Sequence, residues 1–145
     1  MNNSALPNKL LFNIGSYACI QVLFQWDGKQ LIYQVNRHGG APDNDEQKII
    51  IPEESEWQRF WGAVRNSDVW YWREKCDPEI CVCDGIEWKL ELVHNGRSIK
   101  SQGSSCYPPN GADIPSESFK QLLCAFGELV KDQVFIREWY DESWE

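Results

Sequence analysis

The chain is short of histidine, of positive charge and of long apolar runs, and each shortage removes a class of function. It has two histidines and carries 14 basic residues against 22 acidic ones, a formal net charge of −8. That balance opposes a phosphate-backbone partner, since such binding needs clustered Lys and Arg to displace counterions. Nucleic acid is not an expected ligand. The acidity fits solubility or a basic protein partner. The longest apolar candidate, Leu10 to Phe24, is interrupted by Asn13, Gly15, Ser16 and Gln21, and falls short of the ~20 apolar residues a membrane span requires. It also makes a poor export signal, with Lys9 as the only basic residue before it and Tyr17 where a lipoprotein cleavage site takes a small side chain. The expectation is a cytoplasmic chain with no membrane contact and reduced thiols.

Scarce histidine limits catalysis. His94 lies at the tip of a predicted hairpin and His38 beside Gly39-Gly40, neither next to a nucleophile. A Cys-His hydrolase would need His38 near Cys83 or Cys106 together with an oxyanion donor, which nothing in the spacing requires. No nucleotide-binding signature is present, and Asp43, Asp45 and Glu46 lack the alternating oxygen set of a Ca²⁺ loop. No catalytic residue is assigned, so the chain reads as a non-enzyme.

What is abundant is pattern. Asp27-Gly28 and Asn95-Gly96 each divide two alternating stretches, the strongest short hairpin signal. Taking Asp27-Gly28 as a two-residue turn pairs Trp26 with Lys29, Phe24 with Leu31, Val22 with Tyr33 and Ile20 with Val35 on a core face. Gln25 and Gln30, Gln21 and Gln34, Leu23 and Ile32 then occupy the opposite, partly exposed face. In the second hairpin Trp88, Leu90 and Leu92 share a face with Ile99, Glu91 meets Lys100, and Gly103 lies opposite Trp88, leaving room for the indole. Each hairpin is followed by a polar loop, a proline and a helical pattern. Trp57, Phe60, Trp61 and Val64 follow Pro52, and Phe119, Leu122, Leu123 and Phe126 follow Pro115, both at i, i+3, i+4 and i+7. Cys124, on the second helix, is expected in the core.

These elements predict one α+β domain over residues 1–145. It is a two-layer sandwich with a ββα-ββα pseudo-repeat, an antiparallel sheet carrying both helices on one face. The repeat halves span about 16–68 and 84–131, after a flexible arm over 1–13 and before an acidic aromatic tail over 138–145. Ile49-Ile50-Ile51 reads as a short edge strand, Val69 to Trp72 as another, and Val134-Phe135-Ile136 as a last one.

Asp84-Gly85-Ile86-Glu87-Trp88, the hairpin, and Gly103-Ser104-Ser105-Cys106-Tyr107-Pro108 occur in that order. Together they resemble an uncharacterised group of small bacterial α+β domains with a D-G-x-x-W pattern, a lysine-bearing second strand, G-S/N-x-x-Y-P and a following helix. The resemblance covers about residues 68–130 and implies the fold, with no activity attached. Cys106 stands where that pattern has a small apolar residue, so the cysteines are particular to this chain.

Two constellations remain. Cys76, Cys81 and Cys83, with Cys106 arriving through the hairpin, offer soft ligands for Zn or an iron-sulfur cluster, or a redox pair. The spacing lacks the C-x2-C knuckle, and incidental thiols are the simpler reading. The eight tryptophans include Trp70 and Trp72, which alternate with Tyr71 so that both faces of a short strand must accept an aromatic. Trp70, Tyr71, Trp72, Gly103 and Tyr107 form the candidate recognition patch, against the alternative that they complete the core. The expected function is a non-catalytic protein-binding domain of inhibitor, immunity or adaptor type, needing no cofactor. The alternative is a thiol-based metal or redox protein using the four cysteines. The oligomeric state is left open.

Overall fold

The computed structural model describes residues 5–15, 21–36, 45–76, 87–104, 106–108 and 116–131. Their strands are β1 (Lys9–Gly15), β2 (Gln21–Trp26), β3 (Leu31–Asn36), β4 (Asp45–Ile50), β5 (Lys75–Cys76), β6 (Glu87–His94) and β7 (Arg97–Ser104). The helices are α1 (Glu54–Asn66) and α2 (Glu117–Val130), and a 3-10 turn spans Val69–Tyr71. The strands form one seven-stranded sheet in the order β4-β3-β2-β1-β6-β7-β5. Every neighbouring pair is antiparallel except β5 and β7, which run parallel.

The centre of that sheet corrects the expectation of a flexible arm over 1–13. Leu10, Phe12 and Ile14 alternate with exposed Lys9 and Asn13, so β1 buries one face. It pairs with β2 on one edge and β6 on the other, joining the two hairpins into a continuous sheet. The order β-ββ-β-α-β-ββ-α also departs from a simple ββα-ββα plan. β4 intervenes before α1, and the 3-10 turn and β5 intervene before the second hairpin.

The second hairpin has the expected register, with Trp88 opposite Gly103, Glu91 opposite Lys100 and Leu92 opposite Ile99. Asn95 and Gly96 both take positive φ, as a tight two-residue turn of this kind demands. The first hairpin is shifted by two residues: Trp26 pairs with Leu31, Phe24 with Tyr33 and Val22 with Val35. Its turn centres on Gly28-Lys29, with Asp27 N–H donating to the Gln30 carbonyl at 3.1 Å. The Asp27 carboxylate accepts from the N–H groups of Lys29 and Gln30, both at 2.9 Å, and this local cap selects the later turn. Because the shift is even, every core residue keeps its face.

Both helices bury the predicted stripe, Trp57, Phe60, Trp61 and Val64 on α1 and Phe119, Leu122, Leu123 and Phe126 on α2. At the start of α1, Glu53 N–H donates to the Glu56 carboxylate at 2.9 Å. At the start of α2, Ser116 Oγ accepts from Phe119 N–H at 3.1 Å. Phe126 joins the layers, its ring centroid 4.8 Å from Phe12, 4.7 Å from Phe24 and 5.0 Å from Phe60. Cys124 points the other way and is exposed, because its position falls outside the i, i+3, i+4, i+7 stripe. The expected edge strand at Ile49–Ile51 is β4, which begins earlier and ends at Ile50. The segment 134–136 lies outside the described residues.

Candidate functional site

At the β5 edge of the sheet a cleft of about 300 Å³ opens between the segment after α1 and the start of α2. Local backbone geometry builds its rim. Ser67 ends α1 and Asp68 takes a left-handed φ of 56°, turning the chain so that Tyr71 N–H donates back to the Asp68 carbonyl at 3.1 Å. The aromatic triplet is therefore a single 3-10 turn leading out to extended Trp72, not the expected strand. In a strand, Trp70 and Trp72 would share a face. In this turn the three rings go three ways.

Tyr71 is 80% exposed on the cleft rim. Trp72 is 6% exposed and stacks on Phe119 at 5.8 Å, with Trp88 edge-on at 5.9 Å. Trp70 is half-buried and stacks on Trp61 at 6.1 Å, and Trp61 in turn stacks on the His94 ring at 4.0 Å. Tyr107, 1% exposed, packs edge-on to Phe119 at 4.8 Å. Gly103 provides space instead of contact with a partner: a Cβ there would lie 2.6 Å from the Cys106 carbonyl and 2.7 Å from Trp88 Nε1. Of the five patch residues, Tyr71 alone is exposed. Trp72 and Tyr107 pack on Phe119, and Gly103 makes room for the Trp88 indole that packs there as well.

The cysteines are corrected in the same way. Cys76 and Cys106 form a disulfide with their Cα atoms 5.5 Å apart, so neither is an incidental reduced thiol and neither ligates a metal while bonded to the other. Both line the cleft. Cys81 and Cys83 lie outside the described residues, as do His38 and Asp43. His94 is held against Trp61 at the second hairpin, and Asp45 and Glu46 lie within β4 instead of a turn. Among the described residues no group of three or more His, Cys, Asp or Glu is placed to hold a metal ion.

The polar groups of the cleft are Ser67, Asp68, Arg73, Lys75 and Ser118. Ser67 Oγ hydrogen-bonds Gln121 Oε1 at 2.8 Å, so its hydroxyl is committed to a neutral amide. Ser101 Oγ donates to the Arg73 carbonyl, tying the segment before β5 to β7. The missed features were Arg73, Lys75 and the disulfide. Cysteine spacing signalled a constellation, but nothing local signalled which two would pair.

Among the described residues no helix is long and apolar enough to cross a membrane. No protein-family model matches the chain, and no curated protein matches it.

Proposed function

We propose that the chain is a non-catalytic, cytoplasmic protein-binding domain of inhibitor, immunity or adaptor type, docking a protein partner at the Tyr71 cleft. It is a two-layer sandwich with two related hairpin-helix halves, akin to the small bacterial domains its D-G-x-x-W and Y-P motifs resemble. The observation that carries the reading is Tyr71. A large aromatic 80% exposed on the rim of a concavity is the kind of side chain that anchors protein interfaces. Asp68 beside Arg73 and Lys75 gives the rim both signs of charge for polar contacts around that anchor. The net charge of −8 favours encounter with a basic partner.

The test compares proteins retained from a lysate by the immobilised chain and by its Tyr71→Ala variant, identified by mass spectrometry. A partner retained by the first should bind the variant about 30-fold more weakly, as expected for an interface aromatic anchor. Identical retention by both would overturn the cleft as the docking site.

The second reading, a thiol-based redox protein, is favoured by the position of the Cys76–Cys106 disulfide on the cleft wall. A Zn or iron-sulfur site on Cys76, Cys81, Cys83 and Cys106 would first require that bond to be reduced. Elemental analysis of protein purified under reducing conditions without chelator decides it, about one metal per chain supporting the site.

A further inference from the structure

The two ends of the Cys76–Cys106 disulfide are held very differently. On one side, the Cys106 carbonyl accepts a hydrogen bond from Trp88 Nε1 at 2.9 Å, and the residue is 1% exposed. Its neighbour Tyr107 is packed on Phe119, and Gly103 leaves the space that this arrangement occupies. Cys106 thus belongs to the core whether or not it is crosslinked. On the other side, Cys76 ends a two-residue strand at the edge of the sheet, where Lys75 pairs with Gln102 and Cys76 with Gly103. Before it, Gln102 N–H donates to the Glu74 carbonyl at 2.9 Å and Ser101 Oγ to the Arg73 carbonyl. So short a ladder is weak on its own. The disulfide is its strongest tether, and both cysteines line the 300 Å³ cleft through which a reagent would reach them.

We propose that Cys76–Cys106 is a thiol–disulfide exchange site, reduced by a dithiol entering the cleft, and that reduction releases β5 and reshapes the Tyr71 rim. The consequence for binding rests on the docking role proposed for that rim; the chemistry does not. One thiolate of the dithiol attacks Cys76 Sγ, the more exposed end, and the S–S bond breaks. Its electron pair leaves with Cys106 Sγ, which takes a proton from water. The second thiolate of the reductant then attacks the reductant sulfur of the mixed disulfide, closing the oxidised dithiol and releasing Cys76, which is protonated in turn. Two electrons and two protons pass from the dithiol to the protein. Arg73 and Lys75 on the cleft wall favour the approach of the anionic thiolate.

The experiment uses the full chain, folded, with dithiothreitol. Alkylation and peptide mass spectrometry follow the two cysteines, and amide hydrogen exchange follows residues 69–76. The expected result is release of both thiols without denaturant, with exchange over 69–76 at least about tenfold faster while α2 and β1 are unchanged. Oxidised dithiothreitol should change nothing, and the Cys76→Ser/Cys106→Ser variant should show the fast exchange with no reductant. Three outcomes would overturn the proposal: a bond that yields only after denaturation, reduction with no change over 69–76, or free Cys76 and Cys106 in the untreated protein. Should the double variant fail to fold, the wild-type comparison of reduced and oxidised dithiothreitol still decides. None of these readouts involves a partner, so failure of the docking role and failure of the exchange site are separately visible.

Discussion

Gly103 and Gly62 give opposite expectations for the same substitution. At Gly103 a methyl group would meet the Cys106 carbonyl at 2.6 Å and Trp88 Nε1 at 2.7 Å, and it would break the hydrogen bond between them. Gly103→Ala should cost about 2–4 kcal/mol in urea unfolding, from overpacking plus an unpaired indole N–H. Gly62 lies within α1, and among the described residues nothing beyond its chain neighbours and the helix's own nearby backbone comes within 4 Å of where a methyl group would sit. Gly62→Ala should therefore stabilise by about 0.5–1 kcal/mol. The Gly103 role was legible, because the hairpin register alone places it across from Trp88. The hydrogen bond to Cys106 was not, since it depends on where the chain goes after β7.

Two titrating residues make further tests. The backbone N–H groups of Lys29 and Gln30 hold the Asp27 carboxyl below its ordinary value of 3.8. A lowered folded pKa means that Asp27 supports the fold at pH above 3.8 and that this support is lost as pH falls through the folded value. Asp27→Asn should therefore flatten the acid limb of the stability curve below about pH 4, read by unfolding at a series of pH values. Partial desolvation against the helix surface, and then the charges of Glu128 and Glu117, push the Cys124 thiol above its ordinary 9.0. Its alkylation near pH 8 should lag behind that of a cysteine in an unstructured peptide, although the residue is exposed.

At the scale of elements, the helices were the most legible parts and the shortest pieces the least. The spacing of Trp57, Phe60, Trp61 and Val64 repeats over two turns, long enough for burial to follow from period alone. Phe126 tests that packing: Phe126→Ala removes ring contacts to Phe12, Phe24 and Phe60 at once and should cost about 3–5 kcal/mol in chemical denaturation. The triplet Trp70-Tyr71-Trp72 fits a period of two as well as it fits one 3-10 turn, and three residues are too few to separate them. What decides is Asp68, whose left-handed backbone redirects the chain after α1. β1 shows another limit. Its alternation of Leu10, Phe12 and Ile14 was present in the sequence, but Leu11 blurs it, and the polar residues before it suggest a loose end. Only the unsatisfied edges of the two hairpins explain why it forms the middle strand.

For the molecule as a whole, the disulfide closes a loop with a sequence separation of 30. A loop of that size restricts the unfolded chain enough to contribute about 3–4 kcal/mol, so Cys76→Ser/Cys106→Ser should lower the unfolding midpoint markedly. An unchanged midpoint would mean that the crosslink adds nothing to the ladder and core contacts around it.

Local pattern was enough to set which faces are apolar, where the two helices lie and which way each hairpin presents its core, because side-chain period is a property of neighbouring residues on the backbone. It took the folded chain to establish that β1 joins the hairpins, that Cys76 meets Cys106 and that Tyr71 alone of its triplet is exposed. Each of those outcomes depends on two segments distant in sequence arriving at the same place. β5 lies parallel to β7, Phe119 fills the space under Trp72 and Tyr107, and no local pattern specifies either arrival.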